Sequence, residues 1–327
     1  MTVPLLARYA DIVRYEAERG QALALDWRAY PAETALVAYS DAEAIARAIA
    51  SGAVRQAAAA YLAGYGLAIE ARAWAARPSD ARRGALIQAG EGLRRASPNN
   101  TRLSALLDQA LAQADAATLA GENAEAALLR LVQADITRAD RVAERCGRIA
   151  AGLLDAGDQI ITHGFAGSAL LWMLYVALAE QAKPISLAVL APHTPDDDAR
   201  LAADLARAIG LLAVLLDEPA VQCAFEPAAS AIFVAGAERI ALDGGAASAP
   251  GAARYAELAR QRGLPCYVLG GDGPDPTLDT FAPASTTIPP SLISAIITSR
   301  GIYRPEMIAR YLGDGDAPLD VIPLSLG

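Results

Sequence analysis

Two short stretches of this sequence combine residue types and spacings suited to holding and working on a small anionic molecule. The first is Thr162-His163-Gly164-Phe165-Ala166-Gly167, in which two glycines flank a turn from an apolar strand into a helix. Glycine lets backbone amides approach an anion closely, and the helix N-terminus behind them carries positive partial charge. Glycines stand only at 164 and 167, which is not the GxGxxG fingerprint, so the turn reads either as a phosphate cradle or as a tight structural turn. His163, one of two histidines in the chain, reads first as a side chain holding that turn by a hydrogen bond and second as a catalytic group. The other stretch is Gly236-Ala237-Glu238-Arg239-Ile240. A carboxylate just after an inner strand stands where a general base would, and partial burial would raise its pKa towards working pH. Glu238 beside Arg239 describes a structural ion pair equally well.

The remaining chemistry-bearing residues exclude more than they suggest. Pro192-His193-Thr194-Pro195-Asp196-Asp197-Asp198 offers a histidine and three carboxylates. Three consecutive aspartates on a helix cannot converge on one ion, and they read instead as a helix start favoured by the dipole. The three cysteines, Cys146, Cys223 and Cys266, are far apart and show no CxxC spacing. No metal-ligand set and no redox-cofactor motif is visible, so neither a metal nor a cofactor is expected. Sparse, odd-numbered cysteines fit a reducing cytoplasm. A formal net charge of −9 argues against a nucleic-acid-binding surface. The opening residues lack a basic segment followed by a long apolar run, and no apolar run reaches the ~18 residues of a membrane span. Residues 166–182 come nearest, and they read as a buried helix carrying Glu180.

These residues need a frame to hold them. At 327 residues the chain exceeds one ordinary core and fits two domains. Hydrophobic residues at 54% mark a compact composition, and aromatics at only 6% mean that the cores must be aliphatic, with alanine allowing close helix approach. Residues 1–150 read as a mainly helical domain with a small β element. Asp41 caps one helix, Asn100 or Thr101 caps another running from about 102 to 120, and a longer helix runs from about 122 to 154. Residues 22–27 and 34–39 look like strands of a hairpin-like cover. Residues 151–327 read as a Rossmann-like α/β domain. Apolar runs at 159–163, 184–190, 211–216, 231–235 and 265–270 alternate with helices, the pattern of a parallel sheet covered on both faces. Ligands of such a sheet sit beyond the carboxyl ends of its strands, which is where the 162–167 turn and Glu238 fall.

Taken together, several ordered segments resemble the methylthioribose-1-phosphate isomerases and the wider superfamily that includes ribose-1,5-bisphosphate isomerase and the regulatory subunits of initiation factor 2B. Val54-Arg55-Gln56-Ala57-Ala58-Ala59 is similar to the family's Val-Arg-Gly-Ala-Pro-Ala helix, and Leu25-Asp26-Trp27 to its early Leu-Asp-Gln. Ile161-Thr162-His163-Gly164-Phe165-Ala166-Gly167 resembles its Leu-Thr-His-Cys-Asn-Ala-Gly turn. Gly236-Ala237-Glu238-Arg239-Ile240 resembles its Gly-Ala-Asp-Arg-Ile. Residues 288–298 and Gly301-Ile302-Tyr303-Arg304-Pro305 match its C-terminal segments, so the resemblance spans most of the chain.

The family's isomerases use a cysteine and an aspartate to interconvert an aldose and a ketose phosphate. Here Gly164 stands at the cysteine position and Glu238 at the aspartate position. The family's Asn-Lys-x-Gly-Thr falls around Ala249-Pro250 with no lysine, and its Glu-Thr-Arg-Pro falls on residues 192–195 with no arginine. A phosphate dianion usually needs several donors and charges, so the standard methionine-salvage activity is not expected. What the resemblance leaves is a divergent isomerase-like protein acting on or binding a sugar or sugar-phosphate ligand. Glu238 would handle the proton, Arg55 and Arg239 would hold the anionic group, and His163, Gly164 and Gly167 would form the turn around it. The alternative is a non-catalytic relative comparable to the initiation factor 2B subunits, which tend to carry glutamate after Gly-Ala. The family also implies a homodimer.

Overall fold

A computed structural model describes residues 2–191, 197–225, 230–281 and 286–312. The chain forms two compact units, Arg8–Asp140 and Met1–Ala7 with Arg141–Gly327.

The Arg8–Asp140 unit begins with α1 (Tyr9–Ile12) and an antiparallel sheet of β1 (Val13–Glu16), β2 (Gln21–Leu25) and β3 (Leu36–Tyr39). Helices α2 (Ala42–Ala50), α3 (Gln56–Ala73), α4 (Ser79–Ala96), α5 (Thr101–Leu119) and α6 (Ala124–Ala151) follow, the last of these continuing into the second unit. Asp41 caps α2 by accepting from the Ala44 amide at 2.6 Å, and Asn100 caps α5 by accepting from the Leu103 amide at 2.9 Å. Asp140 accepts from the Tyr9 and Ala10 amides at 2.6 and 3.2 Å, fixing the start of α1. Helix α3 is buried almost all round, as its unbroken alanine-rich apolar composition requires. A Cβ on its Gly64 would stand 2.6 Å from the Val132 side chain, so the glycine is what lets α6 approach so closely.

The second unit is built on a seven-stranded sheet. Its strands are β4 (Gln159–His163), β5 (Ser186–Leu190), β6 (Leu212–Leu216), β7 (Ala231–Gly236), β10 (Cys266–Gly271), β12 (Ala295–Thr298) and β13 (Gly301–Tyr303), in the order β13-β12-β10-β7-β4-β5-β6. All neighbours are parallel except β12 and β13. Helices α7 (Ser168–Tyr175), α8 (Asp197–Ala208), α9 (Glu218–Ala224) and α10 (Ala252–Gln261) lie between strands. The pairs β8 (Arg239–Ile240), β9 (Ala246–Ala247) and β11 (Thr287–Ile288) make a small antiparallel sheet. Ile161, Leu190, Phe233, Val268 and Ile296 from the strands pack with Phe225 and Tyr255 in one core.

The expected mixed architecture is present, with a helical N-terminal part and a mostly parallel Rossmann-like sheet after it. Strands β1, β8, β9, β11, β12 and β13 go beyond the expected set. Of residues 166–182, residues 168–180 are helical, α7 continuing as a π-helical turn over Val176–Glu180, and the stretch is mostly buried as far as Ala177 but exposed from residue 179. Among the described residues no helix is long and apolar enough to cross a membrane. Residues 5–7 belong to this unit. Leu6 and Ala7 are buried, Ser168 Oγ donates to the Leu6 carbonyl at 2.9 Å, and Trp172 Nε1 donates to the Ala7 carbonyl at 3.1 Å.

Candidate functional site

After β4 the chain adds β5 and β6 on one side, then returns to add β7, β10 and β12 on the other. The carboxyl ends of β4 and β7 therefore flank the point where strand order reverses, the usual crevice for ligands in an open α/β sheet. The 163–167 turn and residues 236–239 meet there.

The turn is shaped by its glycines. Gly164 has φ +62° and Gly167 has φ +87°, both in the region L side chains rarely adopt. Gly167 is the N-cap of α7 and makes no side-chain capping bond, while the nearby Ser168 hydroxyl is committed to Leu6. Within the first turn of α7 the Leu170 amide donates to the Gly167 carbonyl at 3.2 Å, and no side chain caps the amides before it. From the other strand, Gly236 closes against the turn: a Cβ there would lie 2.6 Å from the Ala166 carbonyl oxygen.

Each ring nitrogen of His163 lies near a backbone carbonyl. Nε2 lies 2.9 Å from the Pro250 carbonyl oxygen and Nδ1 lies 3.4 Å from that of Leu190. A carbonyl only accepts, so Nε2 carries the proton. The ring also packs on Tyr255, with centroids 5.0 Å apart.

Glu238 is exposed, and its amide donates to the Ala247 carbonyl at 2.8 Å. The partial burial anticipated for it is not found, because β7 ends at Gly236 and the acid lies two residues past the sheet. Arg239 donates to Asp275 Oδ2 from Nε at 3.2 Å and from NH2 at 2.8 Å. The same aspartate accepts from the Thr277 hydroxyl at 2.6 Å and amide at 2.9 Å. The Thr277 bonds first, and then the guanidinium, hold the Asp275 carboxyl down at about 2. Arg239 is thus engaged by Asp275 and not by its neighbour Glu238. Asp275 was not singled out from sequence; its Asp-Pro-Thr setting is a turn signal that identifies a local bond to Thr277 but not a partner 36 residues away.

Arg55 belongs to the other unit, where it precedes α3 and its Nε donates to the Gly52 carbonyl at 3.1 Å. Cys146 and Cys266 are buried, and burial pushes each thiol up to about 12; Cys223 is exposed. Tyr61 and Trp172 are core residues, and Phe165 is half-buried. Among the described residues no cluster of three or more His, Cys, Asp or Glu side chains suits a metal ion. The segment Pro192 to Asp196, with His193, lies outside the described residues.

A helical N-terminal unit and, after it, a mostly parallel sheet with a glycine turn at its switch point define a Rossmann-like α/β protein. The model of the initiation factor 2 subunit family matches residues 51–271, and the chain belongs to that family. The methylthioribose-1-phosphate isomerase of Syntrophotalea carbinolica is 28% identical over 324 residues, covering 87% of this chain and 94% of that protein. Its counterpart from Geobacillus thermodenitrificans is 30% identical over 277 residues, covering 73% and 78%. Among solved structures, 5-methylthioribose 1-phosphate isomerase from Pyrococcus horikoshii OT3 superposes with a TM-score of 0.69 at 23% identity, over 92% of this chain and 94% of that one. The delta subunit of translation initiation factor eIF-2B from A. fulgidus also gives 0.69, at 20% identity over 90% and 96%. The tetrameric eIF2B-beta2-delta2 complex from C. thermophilum gives 0.60 at 14% identity, over 84% and 93%. Membership of the superfamily joining these isomerases and initiation factor 2B subunits follows.

Proposed function

We propose that this protein binds an anionic sugar, of the sugar-phosphate class, beyond the carboxyl ends of β4 and β7, without carrying out the standard methylthioribose-1-phosphate isomerisation. The observation that carries this reading is the turn itself. Two left-handed glycines lead into an uncapped helix N-terminus, a site for anion binding, while position 164 has no side chain to ionise. The isomerase relatives support the ligand class, and the tie between Arg239 and Asp275 argues that recognition relies on backbone donors.

A second reading is a divergent aldose–ketose isomerase, an intramolecular oxidoreductase, with Glu238 as its acid–base group. The place of Glu238 directly past β7 favours it. The two readings separate in one experiment. A panel of aldose 1-phosphates, including methylthioribose 1-phosphate, is followed for ketose formation by NMR, with binding measured by calorimetry. Saturable binding without turnover is the result expected. Turnover that disappears in Glu238→Gln would establish the isomerase instead, and absence of both binding and turnover would defeat the two readings together.

We further propose a cytoplasmic homodimer with no nucleic-acid or membrane partner. The free cysteines and the formal net charge of −9 support the compartment and the absence of nucleic acid. The tetrameric eIF2B-beta2-delta2 relative supports assembly with a second subunit of this fold. Light scattering on the purified chain tests this, and a mass of one chain at micromolar concentration would refute it.

A further inference from the structure

We propose that His163 is a clip that holds residues 248–251 closed across the β4–β7 switch point. As a control on access to the ligand crevice, the clip rests on the binding reading above; as a device in the fold, it stands on its own geometry.

Residues 248–251 run from β9 into α10 and touch both strand ends. At the near end the Ser248 hydroxyl donates to the Gly236 carbonyl at 2.8 Å, at the tip of β7, and its amide donates to the Thr286 carbonyl at 2.7 Å. One residue earlier, the Ala247 carbonyl accepts from the Glu238 amide at 2.8 Å. At the far end Gly251, with φ +92°, turns the chain into α10 as its N-cap. Between these ends the segment meets the tip of β4 through the bond from His163 Nε2 to the Pro250 carbonyl. The imidazole is itself packed on Tyr255, with ring centroids 5.0 Å apart. One ring thus joins the end of β4 to a strap anchored on β7, at the place where the sheet reverses its strand order. A ligand approaching the α7 amides from the carboxyl side of the sheet has to fit beside this strap or displace it.

Hydrogen exchange on the full chain tests the clip. His163→Phe keeps an aromatic ring against Tyr255 and removes the donor, whereas His163→Gln returns an N–H donor of similar reach. Losing one such bond should speed amide exchange in residues 247–252 of His163→Phe by about five- to tenfold, with β7 and β10 unchanged and His163→Gln close to wild type. Unchanged rates in that segment would overturn the proposal. So would an equal rise throughout the sheet, or a failure of glutamine to restore protection. Calorimetry with inorganic phosphate on the same three proteins keeps the two ideas apart. No binding in any of them, with the exchange pattern as expected, would defeat the ligand reading and leave the clip in place.

Discussion

Gly164 illustrates how a single residue ties chemistry to backbone geometry. It is buried, yet a Cβ built there would find nothing nearer than Asp198 Cβ at 4.0 Å, so space is available. The constraint is conformational, because φ is +62°. Gly164→Ala should therefore cost about 1–2 kcal/mol in urea denaturation, the usual penalty for a left-handed L-residue; a smaller change would mean the turn relaxes. Asp275 supplies a pH test. Its folded value of about 2 lies below the ~3.9 of an unfolded aspartate, so its bonds to Thr277 and Arg239 contribute fully above that range. Their contribution is lost as pH falls through about 2, and the Thr277 amide resonance should shift over that interval and hold steady above pH ~4. Sequence made part of this legible. An acid after an apolar run announces a strand end. The partner of Arg239 was not legible, because a contact between two loops follows no period. Nor was the exposure of Glu238, which depends on β7 ending at Gly236 instead of continuing through the motif.

Among the elements, those found from sequence share a physical cause. The inner strands β4, β5, β7 and β10 are five- or six-residue apolar runs buried on both faces, and such runs stand out against the helices between them. Strand β12 is equally buried but only four residues long, and β1, Val-Arg-Tyr-Glu, is half-exposed. Neither length nor alternation separates them from the surrounding turns. Close helix approach was legible in kind, from the alanine content, but not in place. Gly147 shows why: a Cβ there would stand 2.4 Å from Trp172 Cβ and 2.6 Å from the Ala169 carbonyl oxygen, so α6 and α7 touch backbone to backbone. Gly147→Ala should lower stability by about 1–3 kcal/mol, the range for overpacking a close-packed interior. Retention of the wild-type melting temperature would show that the helices can slide apart freely.

At the scale of the whole molecule, the unit that carries the candidate site is discontinuous in sequence, because residues 5–7 pack with α7 while residues 8–140 form a unit of their own. Leu6 is only 2% exposed, so Leu6→Ala should behave as a core truncation in the α/β unit and cost about 2–5 kcal/mol. Denaturation followed by the fluorescence of Trp172, which bonds to the Ala7 carbonyl, reads this in a chain whose Trp27 and Trp74 are replaced by phenylalanine. A loss confined to probes in residues 8–140 would contradict the assignment of residues 5–7.

That contact also orders events in time. Ser168 is 162 residues downstream of Leu6, the residue whose carbonyl it engages. At about 5–20 residues per second of synthesis, Leu6 is made roughly 10–30 s before the Ser168 it binds. During that interval the helices of residues 8–140 can form as a unit, while Leu5, Leu6 and Ala7 wait uncovered. The packing of α7 is therefore completed by residues made well before it.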